Sequence, residues 1–105
     1  MDKQLIRLAV QNLVEAFEPL AVFVFGSFAW GTPGPGSDLD LMVVIEHSAE
    51  SPYNRILKGL KSLRGLKFPK DVLVYTKDEF DDLAKDRASL CYKIKHEGIK
   101  AYEVA

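Results

Sequence analysis

Leu5, Ile6, Ala9, Val10, Leu13, Val14 and Phe17 recur at helical spacing until Pro19 breaks the pattern, which predicts an amphipathic helix with Asp2 as its N-cap. Leu20 to Phe25 is then a nearly continuous apolar run, rich in valine and phenylalanine, as in a strand buried on both faces. A second strand is predicted over Asp38 to Ile45. There Asp38, Asp40, Met42 and Val44 share one face and Leu39, Leu41, Val43 and Ile45 the other, so only the strand's start is polar, on one side. From Arg55 onward Ile56, Leu57, Leu60 and Leu63 mark a second amphipathic helix, broken near Gly65, and Asp71 opens a third apolar run, Val72 to Tyr75. Thr76 and Glu79 have the spacing of a capping box for a helix carrying Phe80 and Leu83. A last helix starts at Asp86 or Ser89, turns Leu90, Cys91 and Ile94 inward and ends at Gly98, after which Ile99 to Val104 reads as a short edge strand.

These elements predict an α/β (α+β) fold, a small mixed sheet covered by helices, in one domain over residues 1–105. The second strand, the helix after it and the third strand form a βαβ unit, which favours a parallel pair whose starts share one sheet edge. The first strand would run antiparallel to them and end where they begin. Gly26, Ser27, Asp38, Asp40 and Asp71 therefore converge on one edge.

The chemistry at that edge follows from the residue types. Asp38 and Asp40, two apart on a strand, have Cβ atoms roughly 7 Å apart on one face. Two such anions repel by about 2 kcal/mol at an effective dielectric of ~20, a cost that a bound divalent cation would reverse. Oxygen-only ligands of this kind suit magnesium with substrate phosphates. Gly26 allows close approach of the backbone to a ligand, and a short helix over Ser27 to Trp30, closed by Gly31, would aim free N–H groups and the Ser27 hydroxyl at phosphate oxygens. Taken singly, each motif also fits an ordinary strand-to-turn junction. The segment between them, Thr32-Pro33-Gly34-Pro35-Gly36, reads either as a connector or as a flap over a nucleotide.

Gly26-Ser27, then Gly31, then Ser37-Asp38-Leu39-Asp40-Leu41, resembles the DNA polymerase β nucleotidyltransferase superfamily. Within it the chain is most similar to the minimal nucleotidyltransferase group, and a Gly-x-x-x-Tyr-Glu tail from Gly98 to Glu103 adds weaker support. The resemblance implies a polymerase β-like nucleotidyltransferase core that moves a nucleoside monophosphate, AMP from ATP, to a hydroxyl with release of pyrophosphate. It implies two magnesium ions held by Asp38, Asp40 and Asp71 as catalytic carboxylates, with Gly26, Ser27 and Ser37 binding phosphates. It further implies an antitoxin whose acceptor is a tyrosine of a HEPN-type toxin partner. Alternatives are a binding module that neutralises its partner by complex formation with weak or no catalysis, and a transferase acting on a small hydroxylated molecule. One departure stands at Trp30, where the family usually carries arginine.

Composition narrows the classes without choosing among these. With 48% hydrophobic and 28% charged residues the chain has the balance of an ordinary globular domain, and with no membrane-length apolar stretch or signal-peptide h-region it is expected in the cytoplasm. Cys91 is alone, so no internal disulfide forms, and His47 and His96 lack metal-ligand spacing and read as surface residues. Arg55, Lys58, Lys61, Arg64, Lys67 and Lys70 recur every third residue with no acidic residue among them, either a solvated face or a surface for an anionic ligand or partner. A net charge of −1 speaks against nucleic acid as that partner.

Overall fold

The computed structural model describes residues 3–34 and 36–105. Its elements are α1 (Lys3–Phe17), β1 (Ala21–Phe25), α2 (Ser27–Trp30), β2 (Leu39–Ile45), α3 (Pro52–Ser62), β3 (Lys70–Thr76), α4 (Lys77–Leu83), α5 (Leu90–Glu97) and β4 (Ile99–Glu103). The expected N-cap Asp2 and the loop residue Pro35 lie outside the described residues. The four strands form one mixed sheet in the order β3-β2-β1-β4, with β2 and β3 parallel and β1 antiparallel to both of its neighbours. The expected α/β fold class, with its antiparallel first pair and parallel second pair, is thus what the chain adopts. Among the described residues no helix is long and apolar enough to cross a membrane.

Strand periodicity sorts the core into two layers. Val22, Val24, Leu39, Leu41, Val43, Ile45, Val72 and Val74 point to one face, where Ala9, Val10 and Leu13 of α1 cover them. Phe23, Phe25, Met42 and Val44 point to the other, against Phe80, Ala84, Cys91 and Ile94. Burial pushes the Cys91 thiol up, in keeping with a small apolar residue of the core. α3 lies close on β3 because Gly59 meets it: a Cβ there would come within 2.8 Å of Val72 Cγ1.

Three local expectations are corrected. α3 begins at Pro52 rather than near Arg55, because the Ser51 side chain accepts from the Asn54 N–H and Pro52 needs no N–H partner in the first turn. Leu90 is 43% exposed: α5 faces the sheet through Cys91 and Ile94, and a residue one step back on a helix is turned ~100° from that line. Arg55, taken as part of an exposed basic stripe, is 5% exposed. Its guanidinium donates to Glu79 Oε1 at 2.6 Å and to Glu79 Oε2 at 3.4 Å, and its Nε donates to the Glu50 carbonyl. The same Glu79 closes the expected capping box, accepting from the Thr76 N–H at 2.8 Å while Thr76 Oγ1 accepts from the Glu79 N–H.

Candidate functional site

β1 ends beside the beginning of β2, with Phe25 opposite Asp40. The next residue, Gly26, has φ 74° and ψ −150°, a conformation open in practice to glycine alone. A Cβ on Gly26 would lie 2.1 Å from Asp40 Oδ2, so the backbone at the exit of β1 rests directly against that carboxylate. Immediately afterwards Ser27 opens α2, a single helical turn in which the Gly26 carbonyl accepts from the N–H groups of Ala29 and Trp30. No side chain caps its first turn.

The second and third carboxylates come from the parallel pair. In the β2/β3 register Asp40 stands next to Asp71, on the same side of the sheet. Asp38 precedes β2 by one residue, and the Leu39 N–H bonds the Pro69 carbonyl at 2.9 Å, which ties the two strand starts together. Asp40 is half-buried, and its carboxyl is raised above the ordinary carboxylate range, first by burial and then by the charges of Asp71 and Asp38. The five residues expected to converge do so. Among the described residues, however, no group of three His, Cys, Asp or Glu side chains is drawn close enough to hold a metal ion as it stands. Asp38 and Asp71 are exposed and face Asp40 within electrostatic range. The donor set still fits a hard divalent cation, being all oxygen, and the mutual repulsion felt by Asp40 is the energy that such an ion would relieve.

Ser37 is placed in the loop before these carboxylates. Its Oγ accepts from the Gly34 N–H at 2.8 Å and its own N–H donates to the Gly34 carbonyl, so the hydroxyl shapes a turn while its proton stays available to a phosphate oxygen. Trp30 packs inward. Its Nε1 donates to the Glu97 carbonyl at 2.9 Å, its ring lies 6.1 Å from that of Phe25, and the Lys93 ammonium sits 4.3 Å from the ring centroid. A cation therefore stands over the end of α2 although Trp30 itself has no charge. Sequence reasoning missed Lys93, because nothing in the local pattern around residue 93 reports contact with residue 30.

Gly26→Ala is expected to cost about 1–3 kcal/mol in urea unfolding, from the unfavourable backbone angle, and more through displacement of Asp40. Introduced into an Asp40→Ala background, the same substitution should keep the first part of the loss and recover the second. Equal losses from Gly26→Ala in the two backgrounds would mean that the two residues do not touch.

A family model described as a nucleotidyltransferase domain matches residues 6–100. Among curated proteins, none is similar enough in sequence to count as a relative. Among solved structures, a candidate nucleotidyltransferase from Sulfolobus solfataricus superposes with a TM-score of 0.67 at 20% identity, over 95% of this chain and 78% of that one. At that identity the likeness is one of fold.

Proposed function

From the premise that the chain belongs to the nucleotidyltransferase domain family, we propose that its carboxylate edge transfers AMP from ATP to a protein hydroxyl. The observation that carries this reading is the seating of Gly26 against Asp40, with Asp71 beside it on β3 and Asp38 just before it in the chain. A phosphate grip and an anionic cluster then share one edge, as nucleotidyl transfer requires.

In the proposed reaction the acceptor oxygen bonds to the α-phosphorus, the bond from that phosphorus to the bridging oxygen breaks, and pyrophosphate leaves with the electron pair. Asp71, exposed at the start of an edge strand, takes the acceptor's proton. Gly26 and Ser27 hold the β- and γ-phosphates through backbone N–H groups and the Ser27 hydroxyl, and Ser37 can donate its remaining proton to the same triphosphate. Asp38, Asp40 and Asp71 would hold two magnesium ions, which when bound neutralise the triphosphate and acidify the acceptor hydroxyl.

The resemblance to minimal nucleotidyltransferases supports a finer reading. There the acceptor is a tyrosine of a HEPN-type toxin and the chain serves as its antitoxin. Available surface supports a protein acceptor, since the helices on both faces of the sheet are occupied in covering it. Incubation with labelled ATP, magnesium and the protein encoded beside this one, followed by intact mass, tests it. A mass increase of one AMP on a partner tyrosine is the expected result, and an unmodified partner beside an adenylylated small molecule the opposing one. Asp71→Asn is expected to reduce turnover about a hundredfold while leaving nucleotide affinity within a few-fold, since a general base contributes ~10²–10⁴ to rate. Equal losses in titration calorimetry and in turnover would reassign Asp71 to nucleotide binding.

A further inference from the structure

One surface of α3 remains without a role in the fold. Of the basic residues along this segment, Arg55 is buried against Glu79, Lys58 lies over the Phe17 ring, and Lys70 donates to the carbonyls of Leu66 and Phe68. Lys61, Arg64 and Lys67 are exposed and have no acidic partner among the described residues. Three exposed cations without acidic partners leave this patch locally positive, a field that favours an anionic partner.

The patch is also apolar. A groove of about 530 Å³ is lined by Leu57, Leu60, Lys61, Arg64, Phe68 and Lys70. Up the same face of α3, Tyr53 is 69% exposed and Leu57 36% exposed, at the four-residue spacing that leads to Lys61. An exposed tyrosine and leucine running into an arginine and lysines is the composition of a protein-binding surface, with an aromatic and apolar centre and charges around it. With a net charge of −1 on the chain as a whole, an acidic protein surface is favoured over the densely charged backbone of a nucleic acid.

Position decides what the surface serves. Pro69 closes the groove, and its carbonyl bonds the N–H of Leu39, the residue between Asp38 and Asp40. Lys70 on the groove precedes Asp71. The groove and the carboxylates lie on opposite faces of the sheet at the same end, separated only by the start of β3, whose outer edge is unpaired in the sheet.

We propose that this groove docks the acceptor protein through an acidic surface with an apolar centre, so that a hydroxyl beside that surface reaches around the start of β3 to the carboxylate edge. This rests on the transferase reading above and names the substrate's recognition surface. Three aspartates would repel an acidic protein at the carboxylate edge, and the exposed cations of the groove would hold it instead.

The test uses a random glutamate–tyrosine copolymer as a defined acidic probe, with a lysine–tyrosine copolymer and oligouridylate as comparisons. The glutamate–tyrosine copolymer should bind in fluorescence anisotropy, weaken steeply with salt, and lose about tenfold in affinity in Lys61→Glu, Arg64→Glu and again in Tyr53→Ala, Leu57→Ala. These positions are exposed, and unchanged melting temperatures confirm that the variants are folded. Absence of copolymer binding, or binding indifferent to all four substitutions, overturns the proposal. Tighter binding of oligouridylate overturns it in favour of a nucleic-acid surface, and a loss of Mg-ATP affinity in the charge-reversed variant overturns it in favour of a nucleotide role. Failure of the unaltered protein to bind Mg-ATP removes the transferase reading alone, because the copolymer measurement is made without nucleotide.

Discussion

Asp40→Asn is expected to lower nucleotidyl transfer by about 10²–10³-fold, the scale at which one preorganised electrostatic group contributes, while making the nucleotide-free protein more stable. The two effects have one cause. Asp40 is half-buried within the field of Asp71 and Asp38, so its ionised form is less favourable in the folded apo protein than in water, a cost that positive charge arriving with a nucleotide would offset. The sign with pH follows. A carboxyl raised in the folded state binds its proton more tightly there than in the unfolded chain, where its pKa is about 3.9. Stability of the apo protein therefore falls as pH rises from that value through the raised one, then levels off. Asparagine removes this loss, so its stabilising effect should be complete at neutral pH and vanish in strong acid. Thermal unfolding at the two pH values, beside a transfer assay at neutral pH, measures both halves. A variant that is inactive and also destabilised would show that Asp40 is a structural group.

Arg55→Ala is expected to destabilise the fold by roughly 2–4 kcal/mol. Removing one member of a buried pair costs ~3–5 kcal/mol when the other stays buried, and the lower figure applies because the Glu79 side chain keeps 40% of its exposure. The pair joins the first turns of α3 and α4, so the loss should loosen both helices. Glu79 is held below the ordinary carboxylate range, first by its hydrogen bond to Arg55 and then by the Thr76 N–H. A lowered folded pKa gives stability that is present above the unfolded value, about 4.3, and is lost as pH falls through the folded one. Arg55→Ala should flatten that acid-side decline. Glu79→Gln separates the contributions, since glutamine still accepts from Thr76 and keeps the cap while the ion pair is gone. Urea unfolding of the two single variants and the double closes the cycle. A coupling near zero would mean that Arg55 acts through packing and its bond to the Glu50 carbonyl.

Most of the architecture was legible because it is written in periods. The apolar runs before Gly26 and after Asp38 and Asp71, the helical stripe between them and the handedness of a βαβ crossover suffice to bring five residues to one edge. What could not be read is pairwise and long-range. The exposed reading of Arg55 rested on its place in a regular basic stripe, and its partner is contributed by a capping box 24 residues away. Leu90 and Cys91 are adjacent apolar residues at a helix start, and only the docking angle of α5 decides which turns inward. Lys93 reaches Trp30 beside the indole's own bond to the Glu97 carbonyl, 67 residues from Trp30, and neither contact has a local signature. At the site itself the positions were legible, while the spread of the carboxylates was not, since it depends on side-chain torsions that no strand period specifies.

The strand order has one further consequence. Asp40 sits on β2, which is hydrogen-bonded on both sides, whereas Asp71 sits on β3, bonded on one side only. Val72 and Val74 hold the body of β3 in the core, so only its first residues, the half-buried Lys70 and the exposed Asp71, feel the missing ladder. The carboxylate edge thus joins a strand bonded on both sides, which carries Asp40, to the solvent-facing start of one bonded on a single side, which carries Asp71. Of the three aspartates, Asp71 is the one that an adjustment of a single strand end would move.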